Sequence, residues 1–259
     1  MMKRGIYTAV LSILTIAAII WGSAVHLFGV TSDFSWGPKW LPVIHLGSGG
    51  KQAGFTENVE HFKNLNVDVN AGTVTVISGT EYSVEYRGRE ALKPEIKKDG
   101  DALKITQKKK NSGFTIAGNK EEIIITVPEK KIIDECVIKA DLGNLKIRDV
   151  RILDLETETD AGNVNVSGCQ LEKVSMDADM GNINVKDSSF TEFYAEMEMG
   201  NAKINSSEDL GNATFRLHAD LGKIKVDGEN QGNDYKVKGS DGKKVDISAD
   251  LGNIKVNWN

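Results

Sequence analysis

A chain of 259 residues, 40% hydrophobic and 7% aromatic, has room for one large domain or two small ones and enough apolar material for a core. A formal net charge of −5 gives no basic face for nucleic acid, and two cysteines, Cys136 and Cys169, are too few for a disulfide framework. Few aromatics beside 26 glycines suit a thin, turn-rich β structure better than a thick sandwich.

From Gly5 to Val30 the sequence is a nearly unbroken apolar run. About 20 such residues cross roughly 30 Å of hydrocarbon as a helix. Tyr7, Trp21, Trp36 and Trp40 stand where amphipathic rings favour the headgroup zone. A transmembrane anchor is therefore predicted over residues 1–30, with residues 5–30 against membrane lipid. The alternative is a cleaved signal peptide, with Lys3 and Arg4 before the apolar run and Gly22-Ser23-Ala24 as the cleavage site. Continuation through Val25, Leu27, Phe28 and Val30 favours the retained anchor. Lys3 and Arg4 place the N-terminus in the cytoplasm, which leaves the C-terminal domain extracytoplasmic in a single-pass cell-membrane protein. No cysteine follows the run closely, which excludes a lipid-modified one as the anchor. Residues 31–57, with two of the four prolines and Gly47-Ser48-Gly49-Gly50, read as a juxtamembrane linker.

Residues 58–128 read as an irregular β lead-in. Val67-Asp68-Val69 and Val74-Thr75-Val76 flank Gly72, and Tyr82–Tyr86, Leu103–Thr106 and Ile123–Val127 are further predicted strands. The basic stretch Arg87–Gly113 predicts a solvated hairpin or loop, in which Lys108-Lys109-Lys110 is a charge run that could also approach anionic lipid.

Residues 129–259 are built from a repeat. Its anchors are Gly143, Gly162, Gly181, Gly200, Gly222 and Gly252, spaced by 19, 19, 19, 22 and 30 residues, each within a motif such as Asp-Leu-Gly-Asn-Leu or Asp-Met-Gly-Asn-Ile. Apolar residues recur seven, five and three positions before the anchor, as in Val174, Met176 and Ala178, and two and four after it, as in Ile183 and Val185. The positions between are largely polar. This alternation predicts two short strands per repeat around a tight turn, for which glycine supplies a left-handed conformation. One such unit cannot shelter its apolar face alone, so the prediction is an all-β, parallel β-solenoid of 19–22-residue coils.

These motifs, with Ile123-Ile124-Ile125-Thr126-Val127-Pro128 leading into the first strong repeat, resemble the DUF4097 family over residues 58–259. The resemblance implies a bacterial β-strand-repeat protein of adhesin type, often membrane-attached. It also implies kinship with members that accompany Gram-positive envelope-stress operons such as the Lia system. The family supplies no catalytic residues to carry across. This chain departs from its pattern in favouring Asp-x-Gly-Asn over Ser-x-Gly-Asp, which makes the turn edge more acidic.

An acidic column stands two residues before each anchor: Asp141, Asp160, Asp179, Glu198, Asp220 and Asp250, with Glu158, Asp177 and Glu196 beside it. Asp160, Asp177, Asp179, Glu196 and Glu198 are the candidates for a weak divalent-cation or cationic-polymer site. The competing account is a solvated column whose aspartates bond their own turns, and the absence of a calcium-binding nonapeptide pattern favours it. The column one residue after the anchor, Asn144, Asn163, Asn182, Asn201 and Asn253, predicts an amide ladder. Cys136 and Cys169 fall in inward columns as buried small hydrophobes, a disulfide being the alternative. His26, His45, His61 and His218 lack metal spacing, and no nucleophile elbow, phosphate loop or zinc pattern occurs, so no cofactor is expected. The 19-residue spacing leaves no loops to form a cleft, which argues against a carbohydrate-active β-helix enzyme. The expectation is binding or scaffolding at the cell envelope, adhesin-like, with an envelope-stress regulator acting through a membrane-protein partner as the alternative. Because Trp258-Asn259 follows the last predicted strand directly, an open end suited to end-to-end self-association is also expected, unless Trp258 folds over it as a lid.

Overall fold

A computed structural model describes residues 51–108 and 121–258. The predicted anchor, most of the linker, Lys109 and Lys110 lie outside the described residues. Among the described residues no helix is long and apolar enough to cross a membrane.

The strands in chain order begin with β1 (Gln52–Asn58), β2 (Asn64–Ala71), β3 (Thr73–Gly79), β4 (Ser83–Arg89), β5 (Glu95–Asp99), β6 (Ala102–Thr106) and β7 (Glu122–Pro128). The repeats supply β8 (Ile132–Leu142) with β9 (Leu145–Arg148), β10 (Arg151–Ala161) with β11 (Val164–Ser167), and β12 (Gln170–Met180) with β13 (Ile183–Ser188). Next come β14 (Glu192–Met199) with β15 (Ala202–Ser206), and β16 (Thr214–Leu221) with β17 (Ile224–Val226). The chain ends through β18 (Glu229–Asn230), β19 (Asp234–Val237), and β20 (Lys244–Leu251) with β21 (Ile254–Trp258). Residues 52–57, assigned to the linker on composition, thus belong to β1, which pairs antiparallel with β4.

Two sheets result. One runs β1-β4-β7-β3-β9-β11-β13-β15-β21-β17-β18 and the other β19-β16-β20-β14-β12-β10-β8-β2-β6-β5. The first strand of every repeat lies in the second sheet and the second strand in the first, and both stack in parallel, with one bulge between Lys186 and Ser188 where β13 meets β15. Val164 faces Ile183, and Ile183 faces Ala202, on adjacent rungs as the repeat requires. The inward columns fill a single core between the sheets, from Tyr86 and Ile105 towards one end to Leu217 and Ile224 towards the other.

Spatial order departs from chain order at the C-terminus. β20 lies between β14 and β16, and β21 between β15 and β17, so the rungs follow the glycine order 181, 200, 252, 222. The open end expected at Trp258 is therefore absent: β21 is interior, and Trp258 is half-buried and stacks on Phe215 with ring centroids 6.0 Å apart. Among the described residues, all four sheet edges are antiparallel strands instead, β1 and β18 in one sheet and β5 and β19 in the other. Charged Glu95, Lys97, Lys98 and Asp99 guard the edge strand β5, a composition that discourages strand addition.

The anchor glycines also have a different cause from the one expected. Their φ values reach 151–158° at Gly143, Gly162, Gly181 and Gly200, but Gly222 and Gly252 carry no left-handed φ. All six share close approach. A Cβ on Gly162 would sit 1.5 Å from the Gly143 carbonyl oxygen, and on Gly252 1.5 Å from that of Gly200. A second corner was not read from the sequence. Asp149, Gly168 and Asp187, each six residues after an anchor, turn with φ of 55°, 64° and 48°.

Among the described residues, four buried side-chain polar atoms lack a hydrogen-bond partner, and two of them are hydroxyls in the inward columns. Thr157 and Thr159 are buried, at positions where the next rung carries Met176 and Ala178, and neither hydroxyl has a hydrogen-bond partner. Thr157→Val, which keeps the shape and removes the orphan hydroxyl, should stabilise the fold by about 1 kcal/mol. A chemical-denaturation midpoint that falls instead would show that the hydroxyl is paired. Cys136 and Cys169 are both free and buried, and burial pushes the Cys136 thiol up to about 12.

Candidate functional site

The outer face of the second sheet carries the predicted carboxylates. Strand alternation turns Ile138, Thr157, Met176 and Ala195 inward and the following residues outward. Parallel register then aligns Lys139, Glu158, Asp177, Glu196, Ser248 and His218 across successive strands. Asp160, Asp179 and Glu198 stand exposed two residues further along the same strands. All five candidates thus share one face, in two rows.

Electrostatics along the row is uneven. Lys139 pairs with Glu158 at one end. Asp177, between Glu158 and Glu196, has its carboxyl held above the usual range, first by partial burial and then by the charges of Asp179 and Glu158. Like charges one rung apart repel by about 1 kcal/mol in water. The rows run parallel and do not converge: among the described residues no group of three or more His, Cys, Asp or Glu side chains could hold a metal ion. An open depression over this face is bordered by Ser175, Asp177, Tyr194, Glu196, Asp246 and Ser248, where the Tyr194 hydroxyl donates to Glu192 at 3.1 Å. This surface can engage amines or hydroxyls laid across several rungs. It offers no paired acid and base facing a closed cleft.

The amide ladder is present. Asn182 donates through Nδ2 to Asn163 Oδ1 at 2.9 Å, and its own Oδ1 accepts from both the backbone N–H and Nδ2 of Asn201 at 3.1 Å. The chain of bonds continues from Asn201 to Asn253 and ends at the Lys223 N–H, repeating the exchanged rung order. On the first sheet, Lys146, Lys203, Lys255 and Lys225 stand exposed three residues after their anchors, with Asn165 and Asn184 half-buried between them.

His218 is the residue that spacing along the chain did not single out. Antiparallel pairing of β19 with β16 sets it opposite Asp234, with Nδ1 3.4 Å from that carboxylate and Nε2 2.7 Å from Asp220. Both carboxylates hold the imidazole pKa above its ordinary value, while Lys236 also pairs with Asp234. A raised folded-state pKa means that this contact contributes fully below the unfolded value near 6.5 and is lost as pH rises through the folded value. The 227–237 segment, held to β16 through β19, should therefore resist limited proteolysis better at pH 5.5 than at pH 8. In His218→Gln the difference should vanish; a difference of unchanged size would exclude the histidine as its source.

The family described as Toastrack DUF4097 matches residues 62–216 of this chain. No curated protein matches it. Similar solved structures include a candidate cell adhesion protein from Clostridium sporogenes ATCC 15579, 21% identical, covering 81% of this chain and 100% of its own, with a TM-score of 0.48. A candidate adhesin from Bacteroides fragilis NCTC 9343 is 16% identical, covering 81% and 99%, with a TM-score of 0.48. A candidate lipid binding protein from Parabacteroides distasonis ATCC 8503 is 13% identical, covering 82% and 98%, with a TM-score of 0.30.

Proposed function

The chain belongs to the Toastrack DUF4097 family, and from that premise we propose that it works without catalysis, as an adhesin-like binding or scaffolding protein of the cell envelope. In this reading residues 5–30 form a membrane-spanning anchor with Lys3 and Arg4 on the cytoplasmic side, and the β-solenoid stands outside. The observation that carries the reading is the register. Like side chains recur at rung spacing, roughly 4.8 Å, over successive strands, with Glu158, Asp177 and Glu196 on one sheet and Lys203, Lys255 and Lys225 on the other. A periodic row suits a periodic ligand, and the acidic face suits an amine-bearing envelope polymer.

The full chain should be retained on isolated cell wall, and Asp177→Asn with Glu196→Gln should weaken retention and its salt sensitivity together. Retention unaffected by these changes would remove the acidic face from the reading. Co-purification of a membrane protein through residues 1–57, without wall binding, would replace adhesion by envelope-stress regulation. Turnover of wall polysaccharide abolished by Asp177→Asn and Asp179→Asn would make the protein an enzyme.

A further inference from the structure

The residue immediately before each anchor glycine forms a line of its own. Ala71, Leu142, Ala161, Met180, Met199, Leu251 and Leu221 succeed one another across adjacent rungs at the turn edge of the stack. Its last four members are 52%, 51%, 43% and 72% exposed. Of the six large apolar side chains that the described residues expose, four lie here, over three rung spacings or roughly 15 Å. Single exposed leucines are ordinary surface; a continuous line of them marks a contact.

Charge borders the line unequally. Glu198 and Asp250 precede Met199 and Leu251 on the side of the second sheet, and Lys203 and Lys255 follow beyond the glycine and asparagine columns on the side of the first. Among the described residues none of these four has an ion-pair partner within the chain. Across the edge the surface therefore reads acid, apolar, amide, lysine on both rungs.

Such a surface is complementary to itself in one orientation. Rotation by a half-turn about an axis parallel to the stack exchanges left and right and preserves rung order. It sets apolar line against apolar line and each acidic column against the lysine column of the other copy. A half-turn about the perpendicular in-plane axis would set acid against acid. We propose that the chain pairs with a second copy of itself through the Met180–Met199–Leu251–Leu221 stripe, about a two-fold axis parallel to the stack. Both copies then point the same way. Acid beside the stripe disfavours an anionic lipid surface as its cover. A contact of this length makes a weak, reversible pair.

Trapping tests it. In cells expressing the full chain, Leu251→Cys and, separately, Met199→Cys should give disulfide-linked dimers on mild oxidation. Glu156→Cys, exposed on the outer face of β10, should not. Cys136 and Cys169 are buried and add no background. On the Leu251→Cys background, Glu198→Lys with Asp250→Lys should cut trapping by about tenfold, as should Lys203→Glu with Lys255→Glu, and all four together should restore it. The pairing is overturned if both stripe cysteines trap no more dimer than Glu156→Cys, if the fourfold exchange remains as weak as its halves, or if the stripe cysteines trap a protein of another mass.

Discussion

Replacing Gly252 by alanine should cost about 4 kcal/mol or more, or abolish folding, and Gly181→Ala should do the same. The new methyl carbon would lie 1.5 Å from the Gly200 carbonyl oxygen in the first case and 1.6 Å from that of Gly162 in the second. The obstacle is backbone on the adjacent rung, already held by ladder bonds on both sides, so it cannot swing away as a side chain would. Two comparisons separate space from conformation. Gly252 has no left-handed φ, so any penalty there is steric. Gly100 has a φ of 58° with nothing within 4 Å of a Cβ, so Gly100→Ala should cost only about 1–2 kcal/mol. Urea midpoints for the three variants decide the matter. A Gly252→Ala protein as stable as Gly100→Ala would mean that the coils do not approach each other as closely as described.

The same glycines show what the sequence could and could not convey. Strand pairing was legible because five apolar columns recur at fixed offsets, and identical register on successive rungs follows from identical spacing. The reason for the glycine was not: a column of glycines is compatible with a left-handed turn or with backbone stacking, and only the position of the next rung distinguishes them. The second corner left a usable trace, since Asp149, Gly168 and Asp187 stand six after their anchors and are residue types that tolerate positive φ. The exposed stripe was equally readable as Met180, Met199, Leu221 and Leu251, one before the anchor, but alternation assigns that position no face because the chain is turning there. His218 was not readable at all. Asp234 reaches it only because β19 folds back on β16, and nothing local to either residue fixes that pairing.

The exchanged rung order makes the second large prediction. Deleting residues 243–259 should release residues 207–242 as well, because the coil removed is the one on which β16 and β17 rest. Val245, Ile247, Ala249, Ile254 and Val256 are all buried, and the four larger ones contribute about 1.5–3 kcal/mol apiece when buried. Their loss bares Phe193 and Ile204 on one side and Phe215 and Ile224 on the other, so the outer coil keeps no neighbour in either sheet. The lengthened spacings fit this account. Twenty-two residues from Gly200 to Gly222 allow the chain to pass over one rung, and thirty from Gly222 to Gly252 allow it to return and fill the gap. Hydrogen exchange on the truncated chain should leave β8 to β13 protected and β16 to β19 exchanging freely. Had the coils stacked in chain order, the same deletion would peel away only the terminal rung and leave β16 protected, and that outcome would refute the exchange.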